Sequence, residues 1–310
     1  MERRLKTPEA AHAKHEANWE RRVAKIDVDG LEIDYEFVGD EDAPPLVLTP
    51  GGRYPRDTAG VPELGRIFAD NGYRVLLWDR PGCGASDIGF TAPTESVMNA
   101  NALVGLVREL ALKDITLVGG SAGSRISLMA GIRMPGNVRK IAVWWLSGGP
   151  IGLAGLAWFY CGDQVAAASK GGMEAVVKLP SWADQISRNP RIRDILLSQD
   201  PDEFIAVMEK WARAFNYLDD TPMPGISAED FARLTMPILV FRSGKSDMAH
   251  TRRTSEWVHE LLPDSIMKEP PWGDQEWNYV STFPNDVPNR RGRFERWPLI
   301  APMVLDFLKG

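Results

Sequence analysis

Short apolar runs alternate with amphipathic helical patterns along most of the 310-residue chain, and this alternation limits its fold more than any other feature. Continuous apolar runs are typical of strands that are buried on both faces, and the periodic segments between them fit helices that cover a sheet. The pattern predicts an α/β fold with a mostly parallel sheet and helices on both faces. The predicted strands are 23–28, 31–38, 46–49, 73–78, 115–118, 138–146, 237–241 and 265–268.

The alternation stops between residues 150 and 232, where helical patterns occur without a clear strand. We therefore predict a core formed by residues 1–149 and 233–310, with a helical cap, or lid, over 150–232 inserted after the sixth strand. Residues 141–162 carry no charge and are numerous enough to cross a membrane. Their glycines and Pro150 instead favour a buried strand, a loop and an apolar helix.

Composition excludes several classes of function. The chain has 36 Lys and Arg against 42 Asp and Glu, a formal charge of −6, and no long basic run, so we expect no nucleic-acid partner. Its two cysteines and four histidines do not have zinc-site spacing, and we expect no metal and no cofactor. The charged N-terminus lacks the apolar region of a secretory signal. We expect a cytoplasmic protein with a small-molecule substrate and no membrane partner, and a possible homodimer from base rates alone.

The pentapeptide Gly119–Gly123 matches the pattern G-x-S-x-G, directly after a predicted strand and directly before a helical run. In that context the motif forms a sharp turn that exposes the serine hydroxyl above the sheet edge. The N-terminus of the following helix then offers free N–H groups to a developing oxyanion. The motif predicts Ser121 as a nucleophile; the alternative is a serine that only caps the helix.

Three further segments accompany this motif in a familiar order. They are a strand with a Pro-Gly-Gly turn (46–52), a D-x-x-G-x-G-x-S turn (79–86) and a strand with an acidic loop (241–247). Together with 119–123, they resemble the α/β-hydrolase superfamily, specifically its cap-bearing members, over about residues 23 to 308. The chain is loosely similar to meta-cleavage-product hydrolases and esterases within that superfamily. The resemblance implies the fold and a hydrolase, but not the substrate.

The resemblance also implies roles for individual residues. The backbone N–H groups of Ala122 and of Gly52 or Arg53 would form the oxyanion hole, and Asp247 would be the acid of a catalytic triad. Arg53 would then lie near the site, where it would either bind a substrate carboxylate or pair with Asp57 at the surface.

The base is the main departure from the superfamily pattern, which places a Gly-His pair after the last strand. This chain has Asp274 at the expected histidine position. His250, three residues after Asp247, is one candidate for a relocated base, and its alternative is a purely structural role in the acid loop. Asp274 itself is the other, with its pKa raised by burial beside tryptophans. The remaining histidines are assigned to solvated or helix-face positions: His12, His15 and His259.

Aromatic residues in the cap and late loop predict an apolar pocket, in which Trp145, Trp158 and Trp272 would contact substrate. The alternative is that these side chains only pack the cap against the sheet. We expect a serine hydrolase of a small apolar or aromatic substrate that contains an ester, a lactone or a C–C bond next to a ketone. Two alternatives stay open: non-hydrolytic chemistry on the same scaffold, as in a lyase, decarboxylase or cofactor-free oxygenase, and a catalytically inactive binding protein.

Overall fold

The computed structural model describes residues 22–277 and 293–310, and His12 and His15 lie outside these ranges. The strands in the described residues are β1 (Arg22–Val28), β2 (Leu31–Val38), β3 (Pro45–Thr49), β4 (Arg74–Trp78), β5 (Ile115–Gly120), β6 (Val138–Trp144), β7 (Ile238–Phe241) and β8 (Ser265–Lys268). They form one eight-stranded sheet in the order β1-β2-β4-β3-β5-β6-β7-β8. Strands β3 to β8 are parallel to one another, and β1 and β2 pair antiparallel at one edge. The predicted α/β fold is confirmed.

Helices connect the parallel strands and cover the sheet. The α-helices in the described residues are α1 (Val61–Asp70), α2 (Glu95–Glu109), α3 (Ala122–Arg133), α4 (Pro150–Ala157), α5 (Asp163–Val176), α6 (Pro180–Arg188), α7 (Arg191–Leu197), α8 (Pro201–Arg213), α9 (Ala228–Ala232), α10 (Arg252–Leu261) and α11 (Ala301–Lys309). A π-helical turn, Trp158–Gly162, joins α4 to α5, and a 3-10 turn, Trp297–Ile300, precedes α11.

The sheet separates two apolar clusters because alternate side chains of each strand point to opposite faces. Val47, Leu117 and Val143 pack on one face with residues of α2, α3 and α10. Leu48 and Val118 pack on the other face with residues of α1 and α11. Burial on both faces explains why the central strands read as continuous apolar runs.

The described chain between β6 and β7 contains helices and no strand. A third apolar cluster joins these helices, from Leu153 to Phe215, and includes Phe90 and Met98 from the main domain. Met223 and Ile226, later in the same segment, belong instead to the core beneath the sheet. The uncharged residues 141–162 form the end of β6, a loop, α4 and the π-helical turn. Within the described ranges, no helix is long and apolar enough to span a membrane.

Candidate active site

Ser121 occupies a strained turn between β5 and α3. Its φ and ψ angles are 57° and −121°, a left-handed conformation that is uncommon for a residue with a side chain. The turn is tight because Gly123 lies against β3: a Cβ at Gly123 would lie 2.1 Å from the carbonyl oxygen of Thr49. The Ser121 N–H donates to the carbonyl of Trp144 at 3.0 Å, which fixes the turn against β6. The chain thus presents the Ser121 hydroxyl at the carboxyl edge of the sheet.

The loop after β7 contains both an acid and an imidazole that face this hydroxyl. His250 Nε2 lies 2.8 Å from Ser121 Oγ. His250 Nδ1 lies 3.0 Å from Asp247 Oδ2 and 3.2 Å from Oδ1. The backbone N–H groups of Ala249 and His250 donate to Asp247 Oδ1 at 3.0 and 2.8 Å. Both side chains are buried, so Ser121, His250 and Asp247 form one continuous hydrogen-bonded chain in the order that general-base activation needs.

The position of His250 is fixed by the start of the helical segment and by aromatic rings. The Gly148 N–H donates to the carbonyl of Ala249 at 3.2 Å. The ring of Trp145 stacks on the imidazole with centroids 5.7 Å apart, and Trp277 meets it edge-on at 4.8 Å. Trp145 itself has a φ of 52°, a second strained residue beside the site.

Asp274 is not brought to Ser121. Its carboxylate pairs with Arg252 and lies 3.7 Å from Lys245 Nζ, and its side chain is 39% exposed. Its backbone carbonyl accepts hydrogen bonds from the Ser246 hydroxyl at 2.6 Å and the Ser246 N–H at 3.2 Å. The carboxylate is partly exposed and lies beside two cations, so the burial assumed for a carboxylate base is absent. Asp274 instead braces the loop that carries Asp247.

The turn after β3 lies against Ser121. A Cβ at Gly51 would lie 2.9 Å from Ser121 Cβ, so a larger residue would displace the nucleophile. Gly52 has a φ of 50°, which suits glycine, and it lines the cavity beside Ser121. Ala122 is the first residue of α3, where a backbone N–H has no acceptor within the helix. The Gly51–Gly52 turn and the start of α3 thus lie next to the nucleophile.

The Arg53 side chain points away from the cavity. Its Nε donates to Glu95 Oε1 at 2.8 Å, and its guanidinium lies 5.2 Å from the ring centre of Tyr160 and 5.5 Å from that of Trp182. Burial alone lowers the pKa of Arg53, but the Glu95 carboxylate outweighs it and raises that pKa, so the guanidinium stays charged. A substrate carboxylate would have to displace Glu95. The partner is Glu95 and not Asp57, which pairs with Arg188.

A cavity of about 360 Å³ opens at Ser121 and His250. Its lining is mostly apolar and comes from the turn after β3, from α4, from the π-helical turn and from residues on both sides of 278–292: Gly52, Tyr54, Trp145, Ile151, Gly152, Gly155, Leu156, Phe159, Tyr160, Met248, Ala249, Trp277, Arg293 and Phe294. Of the three tryptophans predicted to contact substrate, the described lining contains Trp145 alone.

Trp158 and Trp272 lie elsewhere for physical reasons. Trp158 begins the π-helical turn and is 64% exposed, whereas the next two residues, Phe159 and Tyr160, line the cavity. Trp272 is 3% exposed and packs in the core with its ring centre 6.0 Å from that of Trp145. Burial raises the pKa of Tyr160 to about 12, so its hydroxyl stays protonated at neutral pH.

Sequence reasoning missed Tyr54, Phe294 and Arg293. No motif marks them, and residues far apart in sequence meet only when the loops fold over the sheet edge. Among the described residues, no group of three or more His, Cys, Asp or Glu side chains is placed to hold a metal ion.

Comparisons with known proteins agree with the fold. A model of the alpha/beta hydrolase family matches residues 46–290. Serine hydrolase BPHL of Homo sapiens is 24% identical over 253 residues, which cover 81% of this chain and 79% of that protein. The 2-hydroxy-6-oxo-6-phenylhexa-2,4-dienoate hydrolase of Comamonas testosteroni is 30% identical over 132 residues, 43% of this chain and 44% of that protein.

Solved structures with the same fold include the enol-lactonase of Burkholderia xenovorans. Its TM-score is 0.58 at 20% sequence identity, over 93% of this chain and 100% of that one. An esterase of Exiguobacterium antarcticum has a TM-score of 0.56 at 16% identity, over 91% and 97%. These structures support the fold, and the family model spans most of the chain. The chain is therefore a hydrolase and belongs to the alpha/beta hydrolase family.

Proposed function

We propose that the protein is a serine hydrolase with Ser121 as nucleophile, His250 as base and Asp247 as the acid that orients the base. The observation that carries this proposal is the 2.8 Å contact between Ser121 Oγ and His250 Nε2, continued at 3.0 Å from His250 Nδ1 to Asp247. A serine hydroxyl is a weak nucleophile until a held base accepts its proton. Here a single loop supplies both the acid and the base.

The proposed reaction begins when Ser121 Oγ attacks the substrate carbonyl and its proton passes to His250 Nε2. The resulting imidazolium is stabilised by the Asp247 carboxylate and by the stacked ring of Trp145. His250 then donates its proton to the leaving group, which departs and leaves an acyl group on Ser121. Water, deprotonated by the same imidazole, releases the acid and restores the serine.

The oxyanion formed in each step needs donors that are already in place. The Ala122 N–H at the start of α3 and the N–H groups of the Gly52–Arg53 turn are proposed for this role. Removing one such donor typically costs about 3 kcal/mol of transition-state stabilisation.

We propose a small apolar or aromatic ester or lactone as the substrate. The cavity volume of about 360 Å³ supports a small molecule, and Trp145, Phe159, Trp277 and Phe294 supply aromatic faces. Exposed apolar side chains such as Ile151 and Met248 continue the lining toward solvent, which favours apolar substrates at the entrance.

Hydrolysis of a C–C bond next to a ketone is a second candidate, favoured by Arg293. Arg293 adds a positive charge to the mostly apolar lining, which suits a substrate that combines a carboxylate with an aromatic ketone. The partial likeness to the Comamonas testosteroni enzyme points the same way.

A substrate panel tests both candidates. Wild type and Ser121→Ala are compared on phenyl and short-chain p-nitrophenyl esters, an aromatic lactone and an aromatic vinylogous 1,5-diketone acid. The proposal predicts turnover of at least one class by wild type and none above background by Ser121→Ala. Equal turnover by the two proteins would reject Ser121 as nucleophile. Turnover of the diketone acid with little esterase activity would select the second candidate.

A further inference from the structure

Arg80 is a buried cation that neither the triad nor the cavity lining uses. It follows β4, which pairs in parallel with β3, so it emerges at the same sheet edge as the Gly51–Gly52 turn. The residue is 2% exposed. Its Nη2 donates to the carbonyl oxygen of Gly51 at 3.1 Å and to that of Gly52. One guanidinium nitrogen therefore binds two consecutive carbonyls of the turn that faces Ser121.

Binding a carbonyl also fixes the direction of an N–H group. The carbonyl of Gly51 shares a peptide plane with the N–H of Gly52, and the carbonyl of Gly52 shares one with the N–H of Arg53. In a trans peptide the N–H points opposite to the carbonyl, and the described residues contain no cis peptide. Both N–H groups therefore point away from Arg80. They are the two donors proposed for this side of the oxyanion hole.

The Arg80 backbone is held by an independent network. Asp79 accepts hydrogen bonds from the N–H groups of Arg56 and Ala85 at 2.7 and 3.0 Å, and it pairs with the Arg56 guanidinium at 2.7 Å. The Ser86 hydroxyl donates to the carbonyl of Asp79 at 2.6 Å. Gly52, with a φ of 50°, needs such support because glycine lacks a Cβ and so has little steric preference for one peptide orientation.

We propose that Arg80 is a positioning residue of the oxyanion hole: its guanidinium anchors the carbonyls of Gly51 and Gly52 and so aims the N–H groups of Gly52 and Arg53 at the oxyanion. Its positive charge polarises both peptide groups, which strengthens their N–H groups as donors. Arg80 touches neither the substrate nor the nucleophile in this role. The inference rests on the proposed serine mechanism.

The test separates oxyanion stabilisation from ground-state binding. Arg80→Met, Arg80→Lys and wild type are compared by kcat and KM on the best ester of the panel. They are also compared by the Ki of an aryl trifluoromethyl ketone. Ser121 Oγ adds to the carbonyl carbon of this inhibitor, the serine proton passes to His250, and the carbonyl electron pair becomes an oxyanion. The inhibitor therefore reports on the oxyanion hole without turnover.

Arg80→Met should lower kcat by roughly 10- to 100-fold and raise Ki by a similar factor, because misaligned donors lose most of their effect. KM should change little. The midpoint of the pH profile of kcat/KM should stay unchanged, because the triad is intact. Arg80→Lys keeps the charge with a shorter reach and should restore part of kcat and part of the inhibitor affinity.

Arg125→Met is the matched control. Arg125 is also buried, at 3% exposure, but its Nε donates to the Ser96 hydroxyl at 2.8 Å and not to the oxyanion turn. It should lose stability with little change in kcat or Ki. An equal decrease of kcat and an equal increase of Ki in the two methionine variants would show a general packing effect and overturn the proposal.

A folded Arg80→Met with wild-type kcat and Ki would also overturn it. Where that variant does not fold, Arg80→Gln, which lacks the charge, is judged by the same two measurements. The serine mechanism fails in a different way, through an active Ser121→Ala protein. The two proposals are thus rejected by different results.

Discussion

Asp247→Asn tests the orientation of the base by changing one atom of the acid. Asp247 Oδ1 accepts the N–H groups of Ala249 and His250 at 3.0 and 2.8 Å, and Oδ2 faces His250 Nδ1 at 3.0 Å. The asparagine oxygen must stay at the Oδ1 position, because turning the amide would set its NH2 against two backbone donors. Each lost hydrogen bond costs about 1 kcal/mol, with a further penalty for the buried donors left unpaired.

The new NH2 group then faces His250 Nδ1 and forces that nitrogen to accept. The imidazole proton moves to Nε2, where it points at Ser121 Oγ and cannot be exchanged for the serine proton. Loss of the correct tautomer in serine hydrolases lowers kcat by about 10⁴-fold, or about 5 kcal/mol of transition-state stabilisation. We expect that loss in Asp247→Asn, with a folded protein and little change in KM.

Asp274→Asn is the matched control, because it makes the same chemical change in the carboxylate at the position where the superfamily has its histidine. The Asp274 carboxylate is 39% exposed and pairs with Arg252 and Lys245, so its loss should cost about 1 kcal/mol of stability or less. Ester hydrolysis by wild type and both variants is measured with pre-steady-state and steady-state assays. A large loss of kcat in Asp274→Asn, with a small loss in Asp247→Asn, would refute the assignment of His250 as base.

Three further predictions concern packing, buried charge and thiol reactivity. Gly152→Ala should lower the free energy of unfolding by about 1–3 kcal/mol, because its Cβ would lie 2.3 Å from the carbonyl oxygen of Met248. Gly155 lies on the same helix, and no atom lies within 4 Å of its Cβ site. Gly155→Ala should therefore raise the free energy of unfolding by up to about 1 kcal/mol. Equal urea midpoints for the two alanine variants would contradict this prediction. Glu95→Gln should lower the free energy of unfolding by about 3–5 kcal/mol, because it leaves the Arg53 guanidinium buried without its carboxylate. Adding Arg53→Met should restore part of this stability. A further loss of stability in the double variant would argue against a charge effect. Burial raises the pKa of the Cys83 thiol to about 11 and that of the Cys161 thiol to about 12. At pH 8, iodoacetamide should therefore modify these cysteines only after unfolding. Rapid labelling of the folded protein would disprove this.

Much of the fold follows from patterns that are local in sequence. The hairpin around Asp29 and Gly30 needs two consecutive residues with positive φ, and the structure has 51° and 86° there. The continuous apolar run before Ser121 forms a strand, and the helical run after it forms a helix, as their patterns predict. Predicted and observed bounds differ by a few residues at helix and strand ends, where fraying and capping decide the limit.

Contacts between distant residues account for what the sequence left open at the site. Nothing next to His250 shows whether its ring reaches Ser121, because that depends on the Gly148 contact and on Trp145 stacking. The Arg53 side chain turns from the cavity because Glu95, 42 residues later, lies under the helical segment. Trp158 is exposed at the start of a π-helical turn, a rare element that the periodicity of the sequence does not predict.

Activation of Ser121 by His250 can be tested by covalent labelling of the serine. Wild type, His250→Ala and Asp274→Asn are treated with a fluorophosphonate, and the modified peptide is identified by mass spectrometry. We expect one adduct, on Ser121, formed at the wild-type rate in Asp274→Asn and slower by about 10³-fold or more in folded His250→Ala. Labelling of His250→Ala at the wild-type rate, or an adduct on another residue, would show that His250 does not activate Ser121.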